Sequence, residues 1–342
     1  MRSFLCVAAL VLASTASAQT VVFEENFESG FASWGMTGLW NAQSASETCS
    51  APAVPFPSGT SCAWYGDTSC GFNNSNWDDH YLTYLNPITL PATAGSIELR
   101  YRTWSQTEED GVWDLKEPEI SLDGQSWVRV GRTFNSSSWT TEHFQLTAWN
   151  GQSVHLRFRF WAGDYQYNDG LGWFVDDVQI VESPDVAIAQ CLGDGTYRPC
   201  PCNNQGGPGR GCATSFNPNG ARMVASGVPN VSADTLVLTT DGGSDSATTI
   251  FQGGDYHSVP WQSFGGDGLT CMMGQLRRIA SLPAVGGTMA YPTPGADPIS
   301  VRGGLTALGG TRYYAARFRN ALAFCTANTF NVTQQLAITW RP

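Results

Sequence analysis

The sequence predicts an all-β protein built as two antiparallel β-sandwiches, and three observations lead there. Short runs of alternating apolar and polar residues recur between turn residues, while the 3.6-residue period of amphipathic helices is weak throughout. The tryptophans are uneven, with eleven of the 13 between Trp34 and Trp173. The cysteines are uneven too, with none between Cys70 and Cys191.

In chain order, the first 18 residues belong to neither sandwich. Arg2 supplies a positive start, Phe4 to Ala13 an apolar run, and Ala16-Ser17-Ala18 a small-residue cleavage signal. This predicts an exported chain that starts at Gln19. The apolar run is too short to span a bilayer, and no later run is long enough, so no membrane span is expected. Removing Arg2 leaves 17 Lys+Arg against 29 Asp+Glu, a net charge of −12 where the full chain has −11. So acidic a surface repels phosphate backbones and argues against nucleic acid as a partner. It suits plain solubility, or an exported protein that binds cations.

Residues 19–183 read as the first sandwich. "SIELRYRTW" (96–104), "EPEISLDGQSWVRVG" (117–131) and "SVHLRFRFWAG" (153–163) alternate as half-buried strands do. In the last, Val154, Leu156, Phe158 and Phe160 are the core face, and His155, Arg157 and Arg159 the solvent face. Asp123-Gly124 between two such runs signals a hairpin. "GWFVDDVQI" (172–180) raises a question of its own. Phe174, Val178 and Ile180 share one parity with Asp176, so strict alternation would bury Asp176 with them. A buried carboxylate needs a partner, hydrogen bonds or a metal.

Residues 184–190 read as a linker, because strand character ends at Ser183-Pro184 and a Gly/Pro/Cys-rich stretch follows. Residues 191–342 read as the second sandwich, with candidate strands at 235–240, 248–252, 269–279, 311–319 and 330–340. The opening "CLGDGTYRPCPCNNQGGPGRGCATS" has too few apolar residues for a core and needs staples. Nine cysteines remain after the leader, and in an exported chain they predict disulfides. The spacing suggests Cys202–Cys212 and Cys191–Cys200 as local pairs, Cys271–Cys325 across a long loop, and Cys62–Cys70 with Cys49 left over.

The early half resembles the MAM-like, concanavalin-type jelly rolls of secreted proteins and the calcium-containing jelly-roll carbohydrate-binding modules. The carrying residues are "FEENFESGFASWG", "GLWN", "TEEDGVWD", "ISLDGQSWVRVG", "WNGQSVHLRFRF" and "NDGLGWFVDDVQI", in that order. Where many relatives have a histidine after the tryptophan of "LWN", this chain has Asn41, so no site built on that histidine transfers. The resemblance implies a jelly roll whose first and last strands lie close together. It also implies a structural Ca²⁺ tying them, held by Glu28 and by Asp176 or Asp177. Oxygen ligands suit that hard cation. The alternative is that backbone N–H groups or an arginine hold Asp176. The late half resembles a Cys-rich C-terminal module of secreted bacterial proteins, through "CPCNNQG", "GRGCATS", "GTRYYAARFRNA" and "FCTANTFN". That module implies a fold and secretion but no activity.

No catalytic signature stands out. There is no H-E-x-x-H, no G-x-S-x-G, no C-x-x-C and no phosphate loop, and the four histidines are scattered. The loops 75–84, 107–117 and 161–173 mix aromatics with acids and amides. Trp77, Trp113, Tyr165 and Tyr167 are the candidate ligand-binding rings, because sugars stack on aromatic faces and acids or amides read their hydroxyls. The same rings could simply cover the ends of the sandwich. The expectation is a secreted, non-enzymatic binding or adhesion protein with an extracellular glycan or protein ligand. A structural surface or matrix component is the alternative, and an extracellular hydrolase is less favoured.

Overall fold

The computed structural model describes residues 19–44, 55–68, 79–108, 113–164, 166, 170–256, 266–321 and 326–342. The expected leader lies outside them. The first half carries β1 (Thr20–Glu25), β2 (Trp34–Met36), β3 (Trp40–Ser44), β4 (Ser61–Tyr65), β5 (Asp79–Tyr84) and β6 (Ile88–Thr89), followed by β7 (Ser96–Gln106), β8 (Asp114–Ser121), β9 (Trp127–Arg129), β10 (Ser136–Gln145), β11 (Ser153–Ala162) and β12 (Gly172–Ser183). They form two antiparallel sheets. The first runs β10-β7-β12-β4-β3 with β1 also on β12; the second runs β2-β5-β11-β8-β9 with β6 on β11.

The core lies between these sheets. On β11, Val154, Leu156, Phe158 and Phe160 are all 0% exposed and pack with Trp34, Tyr101, Phe144 and Trp173. The alternation is as the sequence predicts. The 121–127 hairpin also forms: Ser121 pairs with Trp127, Gly124 takes φ 70°, and Asp123 accepts the amides of Gln125 and Ser126.

The second half carries β13 (Ala187–Gln190), β14 (Arg222–Ser226), β15 (Val237–Asp241), β16 (Ala247–Gly253), β17 (Asp255–Tyr256), β18 (Met272–Met273), β19 (Arg277–Pro283), β20 (Met289–Tyr291), β21 (Gly310–Arg319), β22 (Phe330–Val332) and β23 (Gln335–Trp340). Its main sheet runs β13-β23-β21-β16-β19 with β22 on β21, beside a β14-β15-β20 sheet and a β17-β18 pair. One short α-helix, α1 (Ile299–Gly303), and a 3-10 turn at Thr147–Trp149 complete the described elements. No helix among the described residues is long and apolar enough to cross a membrane.

Several expectations need correction. Residues 184–190 are not a free linker, because β13 pairs with β23 over Ala187–Gln190. Among the described residues the disulfides are Cys191–Cys271 and Cys200–Cys212, not Cys191–Cys200, Cys202–Cys212 and Cys271–Cys325. Cys200 and Cys212 both point into a small core with Cys191, Tyr197, Leu269 and Cys271, whereas Cys202 lies partly exposed and is disulfide-bonded elsewhere. Residue spacing alone is blind to which side of the chain a thiol faces. Cys62, expected to pair with Cys70, is free. Its side chain is buried on the outer face of the first sheet among Trp64, Trp104, Trp139 and Phe174. Cys49, Cys70 and Cys325 lie outside the described residues.

Candidate functional site

Two places on the first sandwich gather chemistry. The larger is the outer face of the second sheet. Because β11 turns its apolar residues inward, Arg157, Arg159 and Trp161 point out. Across the ladder β8 brings Glu119 and Glu117 beside them, and β5 brings Tyr81 and Asp79. Arg157 Nε donates to Glu119 Oε2 at 2.6 Å, and its guanidinium lies 3.8 Å from the Tyr81 ring centre and 4.1 Å from that of Trp127. Arg159 reaches Asp79 at 2.6 Å and Glu117 at 2.7 Å. Glu117 also takes Arg132 at 2.6 Å and Arg129 at 3.1 Å. Burial would raise the Glu117 carboxyl, but Arg132 and Arg129 outweigh it and hold the pKa below its usual value. The result is a fixed mesh of charges with half-buried rings set in it.

Of the ring candidates, Trp113 sits at one end of this face, 39% exposed. Gly163 passes under it: a Cβ there would stand 2.6 Å from the Trp113 ring and 2.9 Å from that of Trp161. Trp77, Tyr165 and Tyr167 lie outside the described residues. Sequence reading passed over Tyr81 and Trp161, which lie in strand at the ends of stretches read as loops, and Trp127, which lies in a run read as strand. The signal was present: Trp161 shares the outward parity of Arg157 and Arg159.

The second place is the Asp176–Asp177 pair. β12 pairs with β4 through Val175 and with β1 from Val178 onward, so the pair falls where the strand changes neighbours. A bulge opposite β7 occupies that point, between Asp176↔Arg102 and Gln179↔Arg100, with Asp177 at φ 46°. The bulge corrects the parity reading. Trp173 and Val175 face the main core before it and Val178 and Ile180 after it, while Phe174 packs on the outer side with Trp64. Asp176 therefore shares the side of Phe174, and not that of Val178 and Ile180.

Asp176 is nonetheless 0% exposed. Its Oδ1 accepts the Asp177 amide at 2.8 Å, and its Oδ2 is buried without a hydrogen-bond partner. Burial pushes its pKa to about 8, and the nearby charges of Asp177 and Glu28 add to the rise. Asp177 Oδ1 accepts the Ser58 hydroxyl at 2.6 Å. Glu28 Oε1 accepts the amides of Thr60 and Ser61 at 2.8 and 2.6 Å, and these bonds lower its pKa. The donors suit Ca²⁺ in kind, being oxygens around one unpartnered buried carboxylate oxygen. No three acidic, histidine or cysteine side chains among the described residues gather to hold a metal, so carbonyls, hydroxyls and water would have to complete the shell.

No protein-family model matches the chain. It is 30% identical over 148 residues to bacillopeptidase F of Bacillus subtilis, covering 37% of this chain and 10% of that protein. It is 29% identical over 124 residues to the pre-pro-metalloprotease PrtV of Vibrio cholerae, covering 32% and 13%. The chain thus spans about a tenth of the length of these relatives. Among solved structures, it overlaps a carbohydrate-binding module from Cellvibrio mixtus lichenase 5A bound to cellotriose (16% identity, 48% of this chain, 99% of that one, TM-score 0.29). It overlaps a Caldicellulosiruptor saccharolyticus carbohydrate-binding module bound to mannohexaose at 16% identity, 50% and 99% coverage and TM-score 0.31. Superpositions this loose carry no argument about a ligand.

Proposed function

We propose that this is an extracellular, non-enzymatic protein that holds a glycan on the outer face of the second sheet. The observation that carries the reading is the Tyr81–Arg157–Trp127 stack locked by Glu119. A sugar ring needs an apolar face to lie on and fixed polar groups at its rim. Rings held in place by a salt-bridged guanidinium supply both without ordering cost on binding. The disulfides Cys191–Cys271 and Cys200–Cys212 favour an oxidising compartment. Similarity confined to about a tenth of two proteases is what an accessory module would give.

Hydrolysis is disfavoured by the state of the carboxyls. A glycosidase acid needs a raised pKa at an open cleft. On the open face Glu117 is lowered and ion-paired. The carboxyls raised to about 7 and 8, Glu142 and Asp176, are each fully buried and are not in contact with one another. We also propose a structural Ca²⁺ on Asp176, with Asp177 and Glu28 nearby.

The test is titration calorimetry of the full chain against cello-, manno- and galacto-oligosaccharides. One of them should bind, and Trp127→Ala or Tyr81→Ala should weaken it at least tenfold. Silence toward all three, with the protein folded, would favour a structural component without a ligand.

A further inference from the structure

The outer face of the first sheet carries a groove of about 490 Å³, walled on one side by Leu192 and Thr196 of the second half. Its floor holds Arg100 and Arg102 of β7, Thr141 and His143 of β10, and Gln179 of β12. We propose that this groove binds an acidic saccharide, with the two arginines gripping its carboxylate or sulfate groups.

Charge pairing singles the groove out. Six arginines lie between residues 19 and 183. Arg129, Arg132, Arg157 and Arg159 each hold a carboxylate. Arg100 and Arg102 hold none among the described residues, and they stand side by side on one strand face. Arg100 spends Nε and Nη2 on the neutral Gln179 Oε1 at 2.9 and 2.7 Å, and Nη1 on Gln19 Oε1 at 3.2 Å. Arg102 gives Nη1 to Thr141 Oγ1 at 3.2 Å, and its Nε is buried with no hydrogen-bond partner. A desolvated guanidinium N–H without an acceptor calls for one.

The nearby acids do not supply it. Glu98 is taken by His143, and Asp177, at the groove edge, accepts the Ser58 hydroxyl. In a chain of net charge −11, two adjacent arginines left without acids form a local positive site for an oxyanion. Guanidinium forks match carboxylate and sulfate oxygens in pairs. The volume points to a ligand larger than a bare anion, within the roughly 300–1,000 Å³ of small-molecule sites. Hydroxyls and amides such as Thr141, Thr196 and Gln179 suit the rest of a sugar.

The test uses the full chain and four probes: trigalacturonate, a sulfated heparin tetrasaccharide, cellotriose and a poly-glutamate peptide. Trigalacturonate or the heparin fragment should bind, and raised salt should weaken it. The one that binds tells carboxylate from sulfate. Arg102→Gln and Arg100→Gln should each cost at least tenfold with the melting temperature unchanged, and Arg102→Lys, which keeps charge but loses the fork, should fall between. Tyr81→Ala and Trp127→Ala should leave this binding intact, which separates it from the site on the second sheet. The proposal fails if neither acidic sugar outbinds cellotriose, if Arg102→Gln binds as the parent does, or if poly-glutamate binds as tightly as the sugars.

Discussion

Asp176 shows how one side chain can carry two opposite expectations. With its pKa raised to about 8, the metal-free carboxyl is neutral at pH 7. Stability linked to that proton is full below the unfolded value near pH 4 and is lost as pH rises toward 8. In metal-free protein, Asp176→Asn should therefore melt higher than the parent above pH 8. In millimolar Ca²⁺ the order should reverse, because the parent gains RT ln(1 + [L]/Kd), about 2.7 kcal/mol at a hundredfold excess, and the variant does not. EDTA and Ca²⁺ melting curves at pH 7 and 9 check both. Identical curves for the parent with and without Ca²⁺ would remove the metal from the account.

At the scale of the element, β12 shows what alternation can and cannot tell. The strand was legible in "GWFVDDVQI", and Val178 and Ile180 enter the core as read, but ahead of the bulge it is Trp173 and Val175 that do so and not Phe174. The side on which Asp176 falls was not legible, because a bulge resets parity and nothing in nine residues announces it. The bulge sets Asp177 at φ 46°, a backbone that asparagine tolerates and β-branched residues do not. Asp177→Val should cost about 1–3 kcal/mol more than Asp177→Asn in urea melts. Equal losses would mean the local conformation is unimportant. Elsewhere the same grammar succeeded at 121–127 and broke at 330–340, where β22 and β23 are separate strands.

At the scale of the molecule, the two halves meet over the open side of the first sandwich. Tyr256 packs edge-on to Phe144 and donates to Glu142 Oε2 at 3.4 Å, and Gln145 Nε2 donates to the Ala337 carbonyl at 2.9 Å. Burial raises Glu142 to about 7, although Arg198 and His143 pull it the other way. Its folded pKa exceeds the unfolded one, so the linked stability is full below about pH 4.5 and lost as pH rises to 7. Glu142→Gln should flatten that decline, so that its melting temperature gains on the parent between pH 4.5 and 7 and then runs parallel. A constant offset across this range would show that the seam does not titrate.

The sequence by itself determined the fold class, the strands around 96–104, 153–163 and 172–180 and the hairpin at Asp123-Gly124, because side-chain period and turn chemistry are local properties. The resemblance to calcium-containing jelly rolls pointed to Glu28, Asp176 and Asp177, and in the structure the charges of Asp177 and Glu28 act on Asp176. Only the tertiary structure decided which cysteines pair, which side of the sheet Asp176 occupies, and that Tyr81, Trp127 and Arg157 stack while Arg100 and Arg102 go without acids. These depend on which strands distant in the chain come together and where a bulge falls, and one strand's own alternation says neither.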